Sequence, residues 1–340
     1  RSGFDRDGQT RQRSDGMAPP ARSPSNPSLA DRVPISGGVV PGLGDAPAFT
    51  FSLPKRMRLP VLVAVPHAGR AYSPATIARL RYPDLAKLRL EDRHADRLGV
   101  EIARETGTAL LVAHAPRALI DLNRAEDDVD WDMIEGGRPS GMAAASTAQA
   151  NARARSGLGL VPRRLPGSGE IWRGRLAPEE LAARIEGIHR AYHRALGQAL
   201  ARIRTEWGAA LLVDLHSMPP LRAGEAEAQA PVVVLGDRFG ASCNTALMGR
   251  AIAHCEARGV VAAQNRPYSG GYVLDRHGAP KDGIHAIQIE VCRAAYLDRH
   301  LAQPGHGLPA VCAMLAGLVR ELGAETALIG GGEGLRQAAE

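Results

Sequence analysis

Two apolar runs in this sequence end in histidine. Val61-Leu62-Val63-Ala64-Val65 leads into Pro66-His67-Ala68-Gly69, and Leu211-Leu212-Val213-Asp214-Leu215 leads into His216-Ser217. Short runs rich in Val and Leu read as strands buried on both faces. Open α/β sheets gather their chemistry at the carboxyl ends of such strands. Two neutral imidazoles meeting at one sheet edge suit a zinc ion. For either His alone, a histidine bonded in place for structure explains it equally well; two in matching contexts favour metal. A catalytic zinc takes a third protein ligand and leaves a position for water. Glu91-Asp92-Arg93-His94-Ala95-Asp96 is expected to open a helix, with Asp92 and Asp96 on one face. Either acid fits. Asp92 is the expected ligand, with Asp96 supporting, and an acid favoured by the helix dipole is the plain alternative.

The run Ile284 to Val291 alternates, placing Gln288 and Glu290 on one face and Ile287, Ile289 and Val291 on the other. A carboxylate inside such a strand is costly without a partner. Beside a metal, Glu290 would take a proton from the attacking water; otherwise it would pair with Arg293. Pro116-Arg117-Ala118-Leu119-Ile120-Asp121-Leu122-Asn123-Arg124 sets Arg and Asn in an apolar stretch, a pattern that suits a clamp on an amino-acid carboxylate. Asn265-Arg266-Pro267-Tyr268-Ser269-Gly270-Gly271-Tyr272 offers paired glycines, which let backbone approach a ligand closely. His193 either faces the site or packs.

The elements that must position these groups alternate. Strands are expected at Val61–Val65, Ala109–Ala113, Ala210–Leu215, Val232–Leu235 and Ile284–Val291. Helices are expected over Leu90–Thr106, Pro178–Trp207, Ala241–Arg258 and Leu308–Leu322. That order predicts a single α/β domain, a mixed central sheet flanked by helices, over residues 48–325. Residues 1–47, rich in Ser, Pro, Gly and Arg, are expected to be a disordered extension, and 326–340 a flexible tail. Residues 127–174 form a long, weakly periodic segment that could fold over the site.

Of the 340 residues, 44% are apolar and 23% charged, as in a water-soluble globular protein. No apolar run is long enough to span a bilayer, no export signal is visible, and four scattered cysteines lack CxxC spacing, so a cytoplasmic enzyme without membrane attachment is expected. The net charge of +6 owes much to Arg153, Arg155, Arg163, Arg164, Arg173 and Arg175. A basic stretch can bind nucleic acid, but aromatic residues are only 4% and no nucleic-acid motif appears, so a small anionic substrate is the expected partner. The pattern carries no signal for an oligomeric state.

Taken together, Pro66-His67-Ala68-Gly69, Ile120-Asp121-Leu122-Asn123-Arg124, Asp214-Leu215-His216-Ser217-Met218-Pro219, Leu235-Gly236-Asp237-Arg238, Asn265 to Tyr272 and Ala286-Ile287-Gln288-Ile289-Glu290 resemble the N-formylglutamate amidohydrolase family. The resemblance implies a phosphorylase/hydrolase-like fold related to zinc carboxypeptidases. It implies zinc on His67 and His216, with Glu290 as general base and acid and Arg117 near the developing oxyanion. It further implies that Asn123 and Arg124 hold the substrate α-carboxylate and that Asp121 orients His67. The carboxypeptidase relatives carry an acidic ligand three residues after the first His; here that place is Arg70, so the acid is expected at Asp92 or Asp96. The family often shows Pro-Tyr-His where this chain has Ala191-Tyr192-His193. The expected reaction is hydrolysis of N-formyl-L-glutamate to formate and glutamate, with Arg266 or Arg293 reading the side-chain carboxylate. Another N-acyl amino acid on the same fold is the alternative, since a fold does not fix the acyl group.

Overall fold

The computed structural model describes residues 32–139, 154, 156–165, 167–223 and 229–331. Ten strands are labelled β1 (Arg32–Gly37), β2 (Phe49–Pro54), β3 (Val61–Val65), β4 (Ala109–Ala113), β5 (Arg164–Leu165), β6 (Gly169–Glu170), β7 (Ala210–Met218), β8 (Val233–Gly236), β9 (Ala262–Gln264) and β10 (Ile284–Cys292). The helices used below are α1 (Pro74–Arg79), α2 (Pro83–Leu90), α3 (Ala95–Thr106), α4 (Pro178–Arg184), α5 (Ala191–Trp207), α6 (Thr245–Glu256), α7 (Tyr272–His277), α8 (Arg293–Tyr296) and α9 (Leu308–Ile329).

Eight strands form one mixed sheet in the order β1-β2-β4-β3-β7-β10-β8-β9. Its centre, β4-β3-β7-β10, is parallel. β2 and β8 join that centre antiparallel on either side. The central strands are buried on both faces, as their unbroken Val, Leu and Ile runs require. Alternation divides them between two cores. Leu62 and Ala64 pack with Tyr192, Leu196 and Leu200 of α5. Val61, Val63 and Val65 pack with Leu98 and Ile102 of α3 and Leu315, Leu318 and Leu322 of α9. Helix α3 buries Ala95, Leu98, Gly99, Ile102 and Ala103 at helical spacing and stops at Gly107, whose φ of 70° suits a left-handed cap.

Three expectations need correction. The extension was expected to be disordered through residue 47, yet 32–37 form edge strand β1, anchored where Arg32 donates to the Ser52 and Thr108 carbonyls. Its middle positions are exposed, so RVPISG lacks the apolar alternation that would mark it. Residues 1–31 lie outside the described residues. The expected flexible tail begins inside α9, where Thr326 and Ala327 are buried; 332–340 lie outside the described residues. The expected helix Leu90–Thr106 is also broken. Residues 91–94 form a turn between α2 and α3, with His94 at φ 59°. The Asp92 amide donates to the His67 carbonyl at 2.9 Å, which ties this turn to the loop after β3.

Candidate active site

The carboxyl ends of β3, β7 and β10 lie side by side. Glu290 is the register partner of His216, and β3 pairs with β7 on its other side. His67 follows β3 in a loop that can lie against the chain after β4 because residue 69 is glycine: a Cβ there would run into the Ala115 carbonyl. The His67 and His216 rings stand 4.9 Å apart between centroids.

Asp92 completes the group. Its Oδ2 lies 3.1 Å from His216 Nδ1 and 3.7 Å from His67 Nδ1. Its Oδ1 accepts from Ser217 Oγ at 3.2 Å and from Arg293 at 3.1 Å. The far nitrogens are also held. His67 Nε2 donates to Asp121 Oδ1 and His216 Nε2 to Asp214 Oδ2, each at 2.8 Å. His67 Nδ1 is buried without a hydrogen-bond partner among the described residues. Two imidazoles anchored through Nε2 by carboxylates, with both Nδ1 atoms turned toward a third carboxylate, fit a divalent cation. The three ligand atoms lie within 4.8 Å of one another, the one such group among the described residues.

Electrostatics follow from burial set against these partners. Burial opposes charge on Asp92, but His216, His67 and Arg293 outweigh it and hold the carboxyl well below its usual range. Burial likewise opposes charge on Asp121, and Arg117 and His67 reverse it. His67 is driven down, chiefly by burial and then by Arg117. His216 goes the other way. Burial opposes its charge, but Asp214 and Asp92 prevail and hold it well above the usual histidine range. Burial, reinforced by Asp92 and opposed by His216 and Arg117, pushes Glu290 up to about 7.

A cleft of about 490 Å³ opens over this group. Arg117 lines it and grips Asp121 Oδ2 through Nε and Nη2 at 2.9 and 2.8 Å. Asn123 Oδ1 accepts from the Val273 amide at 2.9 Å, and its Nδ2 donates to Gln288 at 3.3 Å. Gln288 in turn donates to Glu290 Oε1 at 3.0 Å. This chain of bonds fixes the face of Glu290 that points into the cleft. Arg124 also lines the cleft, as do Gly270 and Gly271. A Cβ on residue 271 would sit 2.5 Å from Asn123 Oδ1, so the glycine leaves room for that amide. From the long 127–174 segment, Leu158 and Leu165 reach the cleft; residues 140–153, 155 and 166 lie outside the described residues.

Some expected residues lie elsewhere. Asp96 pairs with Arg70 at 2.6 Å and bonds to no member of the metal group, because the 91–94 turn rotates it away from Asp92. Arg266 is exposed and outside the cleft lining. Arg293 does not pair with Glu290; its donors go to Ser217, the Leu88 and Glu91 carbonyls and Asp92. His193 packs: it is buried and donates through Nε2 to the Leu122 carbonyl, while His189 Nε2 donates to the Arg124 carbonyl. A π turn over Ile185–Arg190 lies between α4 and α5, and the two rings, on either side of its end, brace the Asn123–Arg124 loop from beneath. Asp214 and Gln288 carry roles that the sequence reading did not assign. The signal for both was spacing, each lying two residues before a site residue on the same strand face.

A mixed α/β sheet with a buried His, Asp and His group and a glutamate at the ends of its parallel strands defines an α/β protein whose site is able to hold a metal ion. Residues 59–297 match the family model for N-formylglutamate amidohydrolase. The N-formylglutamate deformylase of Pseudomonas aeruginosa is 32% identical over 247 residues, 72% of this chain and 84% of that protein. That of Pseudomonas putida is 33% identical over 71% of this chain and 83% of its own length. The crystal structure of N-formylglutamate amidohydrolase from Ralstonia eutropha superposes with a TM-score of 0.72 at 28% identity, over 82% of this chain and 98% of that one. The chain belongs to the N-formylglutamate amidohydrolase family. No helix among the described residues is long and apolar enough to cross a membrane.

Proposed function

We propose that this chain hydrolyses the formyl amide of N-formyl-L-glutamate, giving formate and L-glutamate, with zinc held by His67, Asp92 and His216. The observation that carries the reading is the pair of imidazoles whose Nδ1 atoms turn toward Asp92 while Asp121 and Asp214 hold their Nε2 atoms. Two nitrogens and one carboxylate oxygen form a ligand set that zinc enzymes use. Bound there, zinc would supply Lewis acidity and bring a water toward ionisation near neutral pH.

The chain's own groups do the rest. Glu290 accepts a proton from the water as its oxygen adds to the formyl carbon. Arg117, fixed by Asp121, donates toward the oxygen that gains charge; one such donor is typically worth about 3 kcal/mol. Glu290 then passes the proton to the amide nitrogen as the C–N bond breaks. Asn123 and Arg124 hold the α-carboxylate, with Gly270 and Gly271 close beside the bound substrate. The chain from β1 to α9 acts as one catalytic domain, and we read it as a cytoplasmic enzyme that needs no nucleic acid. The test is a panel of N-formyl, N-acetyl and N-succinyl amino acids assayed for released amine. Turnover confined to N-formyl compounds is expected; preference for an acetyl or succinyl group would overturn the assignment of substrate.

A further inference from the structure

The guanidinium groups of the cleft differ in one respect that the reaction above leaves unused. Four arginines line it: Arg89, Arg117, Arg124 and Arg293. Arg117 is bonded to Asp121, and Arg293 is directed at Ser217, Asp92 and two carbonyls. Arg124 stands 3.8 Å from Asp121, its side chain 15% exposed. Arg89 is exposed, and among the described residues its side chain has no hydrogen bond, ion pair or ring contact. Its backbone, by contrast, is fixed. Arg293 donates to the carbonyls of Leu88 and Glu91 on either side of it, and the Asp92 amide is bonded to His67. A cation without a side-chain partner among the described residues therefore sits at the cleft on a rigid footing, three residues from Asp92.

We propose that Arg89 reads the side-chain carboxylate of the substrate and sets the preference for glutamate over neutral amino acids. The inference rests on the deformylase reading. N-Formylglutamate carries two carboxylates, and the Asn123–Arg124 loop accounts for one. The second needs a cation from a different wall, and Arg293 and Arg266 are excluded by their bonding and their position. A guanidinium with its donors uncommitted can take a carboxylate through two parallel hydrogen bonds. The plain alternative is that Arg89 merely complements the dipole at the end of α2, where it is a last-turn base. That role would not depend on the substrate.

The experiment compares kcat/KM for N-formyl-L-glutamate and N-formyl-L-glutamine, which differ only in carboxylate against amide. Wild type should prefer the glutamate compound. Arg89→Ala should shrink the ratio by about 10- to 100-fold, carried mainly by KM for the anionic substrate. Arg89→Glu should shrink it further by repulsion, and Arg89→Lys should restore part of it. Ratios in Arg89→Ala and Arg89→Glu within about twofold of wild type would overturn the role of Arg89, as would a wild type indifferent to the two compounds. Wild-type protein inert on both would instead overturn the deformylase reading itself.

Discussion

Replacing Asp214 with Asn perturbs the site in a way that can be worked out from distances. Asp214 is fully buried in β7, and its Oδ2 accepts from His216 Nε2 at 2.8 Å. The bond fixes which imidazole nitrogen is left to bind a cation and makes that nitrogen more basic. Asn fills the same space and still offers an oxygen to Nε2, so ring orientation survives while the charge is lost. A hydrogen bond to a charged group is worth about 1.5–3 kcal/mol and a neutral one about 1 kcal/mol. The difference of about 0.5–2 kcal/mol corresponds to zinc binding weakened by about 2- to 30-fold. Asp214→Ala removes the acceptor altogether and should reach the upper end of the 10- to 100-fold loss typical for partners of metal-bound histidine. The assay is competition for zinc against a chromophoric chelator, with near-ultraviolet circular dichroism to show that the fold is kept. Zinc affinity in Asp214→Asn equal to wild type, with the fold intact, would refute the argument that this carboxylate tunes His216.

Glu290→Gln should still bind zinc but lose about 100- to 10,000-fold in kcat, the usual contribution of a proton-transfer group; near-normal turnover would show that another group is the base. Gly271→Ala should raise KM at a cost of about 1–3 kcal/mol in overpacking, because the new methyl would sit 2.5 Å from Asn123 Oδ1; kinetics identical to wild type would mean that Asn123 does not touch substrate. Burial drives His193 and His189 below their ordinary value of 6.5, and His277 is driven down to about 4 by burial, Arg276 and His189. The unfolded chain therefore binds more protons on the acid side, so the stability these residues confer is full above pH 6.5 and is lost as pH falls from there toward 4. Denaturant unfolding between pH 7 and 4 should show that decline, and His277→Gln should flatten it; a slope unchanged by the substitution would assign the decline to other groups.

Much of this architecture was legible because the central strands are buried on both faces, which forces unbroken runs such as Val61–Val65. The site was legible where a polar residue interrupts or ends such a run, as at His67, His216 and Glu290, since burial makes a polar group costly without a purpose. The strand period also set Ile287, Ile289 and Val291 apart from Gln288 and Glu290, as the structure has them. The rest depended on tertiary contacts with no local signature. Asp92 and Asp96 look equivalent by helical spacing, but the helix is broken between them at His94, φ 59°, and the Asp92 amide is bonded to the His67 carbonyl. Arg266 belongs to a motif yet faces solvent, whereas Arg89 reads as an ordinary surface arginine and lines the cleft. Strand β1 owes its place to pairing with β2, not to its own pattern.

The most direct test is metal analysis of the purified protein together with activity before and after chelation. About one zinc per chain is expected, with loss of zinc and turnover together on chelation or in His67→Ala and His216→Ala, and recovery of wild-type activity on adding zinc back. Full turnover by metal-free wild-type protein would contradict the central claim.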